Sequence, residues 1–308
     1  MVDGAFDIVG LGVATVDDFI VVPEYPERNS KHPVVGTARQ GGGLTATALV
    51  AAARLGCRTA QLIGLGQNEL SRFLRQSLAR EGIALFENPD ARDAEPFHSV
   101  IISEASTGER SILWDDRKTT PPRIGAAERQ LLLSAGCLFV DHVFAHAIID
   151  AVKEAKNAGV PVVGDFERSN DASLPLMDLT DHIILPLAYA VSLTGADGPD
   201  QAVRALMRTP GRSLACVTDS ERGSWYAFAD DLPGKVRRQY AFRARKVVDT
   251  TGCGDVFHGA YAAGLVKGLP PGERVRRASA AAALKAEKQG AQSGAPTLEE
   301  LEAFLREA

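Results

Sequence analysis

Hydrophobic positions along this chain fall into short runs that stop at glycine or at a polar residue, and longer stretches of helical spacing separate many of them. Phe6–Gly12 (FDIVGLG) reads as a buried strand ending in glycines. Asp18–Val22 and Val34–Arg39 read as two further short strands, parted by Pro23, Pro26 and the polar run Glu27–Lys31. Gly41-Gly42-Gly43 then opens an alanine-rich helix, Leu44–Leu55, closed by Gly56. Thr59–Leu65 predicts a strand, and Glu69–Glu81 a helix that stops at Gly82. Phe97–Ser103 and Arg110–Trp114 predict a hairpin, because Ser106-Thr107-Gly108 between them is a turn signal.

From Cys137 onward the alternation is regular. Strands are predicted over Cys137–Val143, Val160–Phe166, His182–Leu185 and Leu214–Thr218, with helices over Ala145–Asn157 and Pro199–Met207. Ser224–Phe228 and Arg237–Phe242 read as a late strand pair, and helices Asp255–Lys267, Glu273–Lys288 and Leu298–Arg306 close the chain. Such alternation predicts an α/β fold with a mostly parallel sheet covered on both faces. The early strands, approximately 18–39 and 97–116, have no crossover helices inside them. They read as a small β appendage inserted in two pieces into a single body spanning 1–308, since no repeat or flexible linker divides the chain.

Composition narrows the function classes. Lys plus Arg number 34 against 39 Asp plus Glu, a net charge of -5, and aromatics are only 6%. This balance gives no electrostatic or stacking case for nucleic acid, and none for a membrane surface. Cys57, Cys137, Cys216 and Cys253 are scattered with no CxxC spacing, which predicts reduced thiols in a cytoplasmic protein and neither disulfides nor a zinc site. Met1-Val2-Asp3-Gly4 lacks a basic region with an apolar run behind it, so no signal peptide is expected, and no apolar stretch is long enough to cross a bilayer. His142 and His146 are four apart, but a strand-to-helix boundary is predicted between them, against a metal pair.

The segment Val247-Val248-Asp249-Thr250-Thr251-Gly252-Cys253-Gly254-Asp255 carries the strongest chemical signal. A short apolar strand runs through a glycine-containing turn directly into a helix. Successive amides can then point one way, at a helix N-terminus, which is a place for an anion. Asp255 puts a carboxylate beside that place. A carboxylate there repels a phosphate, so it makes sense as the acceptor of a proton from an attacking hydroxyl. It also makes sense as an ordinary helix N-terminal acid, and spacing alone leaves both readings open.

The segment resembles the D-T-x-G-A-G-D signature of the ribokinase, or PfkB, family of carbohydrate kinases, matched at Asp249, Thr250, Gly252, Gly254 and Asp255, with Cys253 in the alanine place. The resemblance implies a ribokinase-like three-layer fold with a β-sheet lid, and phosphorylation of a sugar hydroxyl by ATP. It makes Asp255 the catalytic base and the Gly252-Cys253-Gly254 backbone the anion hole. Cys253 near a helix N-terminus has a reactive reading beside an inert one. Further features resemble the family in chain order. Gly41-Gly42 followed by a helix resembles its sugar-binding glycine pair, though Ala46 stands where the family has Asn. Asp17, five residues after Gly12, resembles the residue that grips sugar hydroxyls, with Asp18 as its rival. Thr218–Gly223 resembles the nucleotide-side turn, with Thr218 and Gly223 matched and Ser220 in place of glycine. The Rossmann reading of Gly10-Leu11-Gly12 fails because Thr15 holds its third glycine place.

The loop Gly290–Pro296 resembles the segment near the adenine, with Gly290 on the nucleotide side, and a plain exposed loop is its alternative. In many members a monovalent cation such as K+ lies nearby, which makes Asp249 its candidate ligand here. Mg2+ is implied by the triphosphate, yet the family's N-x-x-E places hold Pro186 and Tyr189. The pattern looks nearest to ketose-type kinases that include the sulfofructose kinases. Trp114 and Val143 stand at two of their sulfonate-binding places and only Lys31 keeps a cation, which implies a neutral or singly anionic sugar. Lys31 also reads as a solvated loop lysine. A homodimer is expected through the lid, whose Phe19, Ile20, Val21, Val22, Ile101 and Trp114 suggest an apolar face. The alternatives in view are a nucleoside kinase of the same fold and a non-catalytic sugar- or nucleotide-binding homologue.

Overall fold

The computed structural model describes residues 6–106 and 109–307; Met1–Gly4 and the Thr107-Gly108 part of the predicted turn lie outside the described residues. In chain order the elements are β1 (Ile8–Leu11), β2 (Thr15–Val22), β3 (Gly36–Gly42), α1 (Leu44–Arg54), β4 (Thr59–Ile63), α2 (Glu69–Arg80), β5 (Ala84–Glu87), β6 (Phe97–Glu104) and β7 (Arg110–Asp115). They continue with α3 (Ala126–Leu133), β8 (Cys137–Asp141), α4 (Ala145–Asn157), β9 (Val162–Asp165), α5 (Ser173–Leu179), β10 (His182–Pro186), α6 (Leu187–Thr194) and α7 (Pro199–Leu206). The last are β11 (Leu214–Thr218), β12 (Ser224–Phe228), β13 (Arg237–Gln239), α8 (Cys253–Val266), α9 (Pro271–Ala286) and α10 (Leu298–Glu307).

Nine strands make one sheet in the order β13-β12-β11-β10-β9-β8-β1-β4-β5. All neighbours from β11 to β5 are parallel, and β12 and β13 add antiparallel at one edge. Strand side chains alternate between two cores. Ile8, Phe139, Val163, Ile184 and Cys216 pack with α1, α8 and α9. Val9, Val140, Val162, Leu185 and Val217 pack with α4 and α7. Burial on both faces is what makes these strands read as unbroken apolar runs. Four elements escape the hydrophobic pattern: β5, α3, α5 and α6 are all short, and α5 has a proline inside it.

A second sheet has the order β3-β2-β6-β7. The hairpins β2–β3 and β6–β7 join along a parallel β2·β6 pairing. Two boundaries differ from expectation. β2 begins at Thr15, and β3 runs on to Gly42, because Thr15 pairs with Gly42 and Val16 with Gly41. The glycine pair therefore closes a strand, and Gly43, at φ 94°, caps α1. The single apolar lid face also divides. Alternate residues of β2 point to opposite sides, so Phe19 and Ile20 cannot share one. Phe19, Val22 and Ile101 are buried in this chain, while Trp114 is 56% exposed.

Candidate active site

Parallel α/β sheets gather ligands at the C-terminal ends of their strands, and the predicted residues collect there. Asp141, Asp165, Pro186 and Thr218 end β8, β9, β10 and β11, and Gly12 lies just past β1. From β1 to β11 is four strand spacings, about 19 Å at ~4.8 Å each. That length suits a sugar at one end and a nucleoside triphosphate reaching in from the other.

The loop before α8 sits over the middle of this edge. Gly252, at φ 77°, caps α8, and a Cβ there would come within 2.6 Å of the Ala291 Cβ. Only glycine makes this turn without strain. The Cys253 amide donates to the Thr250 carbonyl at 3.2 Å, so it is partly used within the turn. The Gly252 and Gly254 amides have no hydrogen-bond partner among the described residues. A Cβ on Gly254 would meet nothing within 4 Å, so open space lies beside that amide.

Asp255 is half-buried in the first turn of α8, with no hydrogen-bond partner among the described residues. Loss of hydration pushes its carboxyl well above the ordinary carboxylate range, and the nearby charge of Asp165 pushes it further. A capping acid that merely favoured the helix dipole would be shifted down. Burial raises Asp165 in the same way, and its Oδ2 has no hydrogen-bond partner. His258, one turn along α8, braces the region: its Nδ1 lies 2.8 Å from the Gly254 carbonyl and 3.4 Å from Asp165, and its Nε2 lies 3.0 Å from the Ile184 carbonyl. Burial pushes the Cys253 thiol up to about 11, which disfavours the thiolate at neutral pH.

Asp249 is committed inside the protein. Its carboxylate accepts from the Thr251 amide at 2.8 Å and from the Gly290 amide at 2.8 Å, and its carbonyl accepts from Lys285 Nζ at 2.7 Å. The Lys285 ammonium thus already sits on the carbonyl of Asp249. Gly290, at φ 83°, therefore ties the last loop to the catalytic one.

At the β1 end, Asp17 and Asp18 take different roles. Asp18 is held by Arg39 at 2.7 Å and His98 at 2.9 Å. Asp17 faces the other way, buried, with a hydrogen bond from Thr15 at 3.0 Å and one from Ser99. Burial raises its carboxyl above the ordinary value despite those bonds. A Cβ on Gly42 would lie 2.1 Å from Asp17 Oδ2, so the glycine is what lets this carboxylate lie on the strand end. Gln292 Nε2 donates to the Gly42 carbonyl at 3.2 Å, and a Cβ on Gly41 would collide with Gln292 Oε1. Lys31 is exposed in the loop between β2 and β3 and makes no ion pair among the described residues. Trp114 is in register with Ser99 and Asp17 across the lid and lies under Arg168, 5.9 Å from guanidinium to ring centre. Arg168 Nε in turn donates to His142 Nε2 at 2.9 Å. His146 is exposed, whereas His142 is buried. Among the described residues no group of three or more His, Cys, Asp or Glu is placed to hold a metal ion.

At the β11 end, Thr218–Gly223 forms a turn with Asp219 N donating to the Gly223 carbonyl at 2.8 Å. Ser220, in the family's glycine place, is forced to φ 45°. Pro186 and Tyr189 lie at the end of β10 and in α6. Sequence reading missed Thr15, Ser99, Gln292, Asp165, Arg168 and Lys285. Two had a signal: Asp165 ends an apolar run at a strand terminus, and Lys285 continues the buried 275, 278, 281 spacing of α9. A hollow of about 700 Å³ lies elsewhere, among Gln67, Asn68, Arg92, Glu95, Arg117 and Lys118. Glu95 and Lys118 pair across it at 2.7 Å, and none of Asp17, Gly42 or Asp255 lines it.

Comparison with known proteins gives the same reading. Residues 9–298 match the model of the pfkB family carbohydrate kinases. The chain is 28% identical over 305 residues to ribokinase from Haemophilus influenzae, covering 97% of this chain and 98% of that one. It is 24% identical over 307 residues to 2-dehydro-3-deoxygluconokinase from Bacillus subtilis, covering 91% and 90%. Arabidopsis thaliana ribokinase, solved with ribose and ATP, superposes with a TM-score of 0.82 over 98% of this chain and 99% of that one, at 23% identity. The ribokinase-like fold is thus present, and the chain belongs to the PfkB family of carbohydrate kinases. It is a sugar kinase, transferring a phosphoryl group to a sugar hydroxyl.

Proposed function

We propose that ATP is the donor, that Asp255 takes the proton from the attacking sugar hydroxyl, and that the Gly252 and Gly254 amides, with the N-terminus of α8, hold the charge that builds on the transferred group. The observation that carries this reading is the Asp255 carboxylate: sunken, unpartnered, raised well above the ordinary range and set beside unpaired amides. A raised carboxyl is a stronger base once ionised, and preformed donors need no rearrangement as charge develops. Cys253 supplies its backbone to the loop, and its thiol takes no part. Asp17, with Thr15 and Ser99, grips sugar hydroxyls against Gly41 and Gly42. Thr218, Ser220, Gly223 and Gly290 form the nucleotide side.

Arg110, at the start of β7, is close enough to Cys253 and Lys285 for its charge to be felt by both. It brings a cation from the lid to the phosphate end. Mg2+ would enter bound to the triphosphate. Asp165, whose Oδ2 accepts no hydrogen bond and stands 3.4 Å from His258 Nδ1, and Glu167 beyond it are the carboxylates that would hold the ion's water. That ion would offset phosphate charge. The four cysteines are free and ATP is an intracellular donor, which supports a cytoplasmic place of work. The exposed Ile112, Leu113 and Trp114 of β7 support a homodimer through the lid. Light scattering at micromolar concentration tests the dimer, and a monomer rejects it.

A panel of pentoses, hexoses, acidic sugars and nucleosides, followed by ADP release, identifies the acceptor. Phosphorylation of sugars is expected; preference for nucleosides would move the chain to the nucleoside-kinase reading, and ATP binding without any turnover to the non-catalytic one.

A further inference from the structure

Among the described residues one lysine is completely buried, and the phosphoryl-transfer scheme above does not use it. The Lys285 side chain is 0% exposed. It projects from the last turns of α9 and places Nζ on the Asp249 carbonyl at 2.7 Å, with the Lys288 carbonyl at 3.3 Å and Asp249 Oδ2 at 3.6 Å. A desolvated ammonium persists only where oxygens and a countercharge surround it. Here they come from Asp249, the residue that opens the catalytic loop. The other side of that residue pins the Thr251 and Gly290 amides. The space around the stem is closed as well, since a Cβ on Gly294 would lie 3.0 Å from Lys285 Cε.

This set of ligands, two carbonyl oxygens and one carboxylate around a single positive charge, is what a monovalent cation would take. The charge also reaches the site: it is the largest influence drawing the Cys253 thiol down against burial, and Cys253 is the middle residue of the anion-hole loop. Arg110 is the only lid cation felt at the same two groups among the described residues, and it is exposed where Lys285 is enclosed.

We propose that the Lys285 ammonium is a built-in monovalent cation of the phosphoryl-transfer site, holding the catalytic loop in shape from behind and making turnover independent of K+. The inference rests on the kinase reading above. Lys285 is a positioning residue, because it acts on the transferred group through Asp249 and the loop.

The test uses the full chain, wild type beside Lys285→Met and Lys285→Ala. Each is assayed in tetramethylammonium, Na+, K+ and NH4+ salts at equal ionic strength, about 0.1 M. The wild type should turn over at the same rate in all four salts. Lys285→Met should lose about 10–100-fold in kcat, as for other groups that orient a site from behind, with the KM for ATP changed little. Lys285→Ala, with room for an ion, should regain part of that rate in K+ or NH4+ and none in tetramethylammonium. Thermal melting supplies a readout independent of catalysis: K+ and NH4+ should raise the Tm of Lys285→Ala and leave that of the wild type unmoved. Strong activation of the wild type by K+ overturns the proposal, and so does a Lys285→Met enzyme with full kcat. Loss of Tm in both variants without any ion-specific recovery also overturns it, since that is the mark of a merely structural lysine. Should the wild type show no kinase activity on any acceptor, the kinase reading has failed, and the ion-specific melting of Lys285→Ala still decides whether a cation site is there.

Discussion

The loop Asp249–Asp255 is tied from behind by buried groups, whereas the turn Thr218–Gly223 is held by its own backbone, an exposed Arg222–Asp219 pair at 2.7 Å and one bond from Arg238. Both face the same sheet edge. Behind the first stand Lys285, Gly290 and His258, all engaged in hydrogen bonds to it or beside it. Behind the second stands Leu185, whose carbonyl is 3.5 Å from Thr218 Oγ1, with the Gln239 backbone close against Gly223. Under the proposed mechanism the difference follows from the task. Donors that meet developing charge must already be in place, because reorganising them would return the gain. A turn that shapes the wall of a nucleotide site tolerates adjustment.

The largest effect that sharpens this contrast is at Asp255. Asp255→Asn should leave ATP binding intact by calorimetry and lower kcat by about 10²–10⁴-fold. Unchanged turnover would falsify its role as base. In the wild type, the base works only when ionised, and its carboxyl lies above the ordinary range. The rate should therefore fall on acidification at a pH higher than an exposed aspartate would give.

Asp249→Ala attacks the bracing itself. It strips the acceptors from Thr251 N and Gly290 N and leaves the buried Lys285 charge without a countercharge. The expected loss is about 3 kcal/mol or more, read as a lower urea midpoint. An unchanged midpoint would show that the loop does not depend on this knot.

Stability should move the other way at Asp255. Unfolded, its carboxyl titrates at the ordinary aspartate value of about 3.9, and folded it titrates higher. Between those values the folded protein holds the extra proton, so stability falls as pH rises through that window. Above it, the ionised carboxylate beside Asp165 costs the fold. Asp255→Asn should accordingly melt several degrees higher at pH 8, with the gain shrinking toward pH 4; about 2–4 °C corresponds to each kcal/mol in a large domain. A gain that grows toward acid pH would contradict the assignment.

The same contrast explains what was legible beforehand. Doubly buried strands such as Leu214–Thr218 and Ser224–Phe228 announce themselves as apolar runs and appear with the expected bounds. The loop before α8 is legible because its glycines and acids are contiguous in sequence. Asp17 could be named but not separated from Asp18, since the choice depends on strand register: one faces Thr15 and Ser99, the other Arg39 and His98. The groups behind the loop were hidden because they are distant in sequence. Lys285 lies 36 residues from Asp249, and Gly290 lies 41 away. Small α5 and α6 carry too few turns for a helical period to stand out.

The smallest effect lies in the weaker turn and tests whether it is merely shaped. Ser220 adopts φ 45°, where a side chain crowds its own backbone and glycine does not. The residue is exposed, and its neighbour Gly223, at φ 90°, fits only without a Cβ, which would lie 2.1 Å from the Gln239 carbonyl. The turn is thus fixed by Gly223, and Ser220 bends to fit it. Glycine at 220 relieves the strain in the folded chain but adds freedom to the unfolded one. With both terms counted, Ser220→Gly should stabilise by about 0.5–1 kcal/mol and leave the KM for ATP unchanged. A rise in that KM would mean instead that the serine hydroxyl touches the nucleotide, and that this turn, too, has a role in recognition that its loose construction does not reveal.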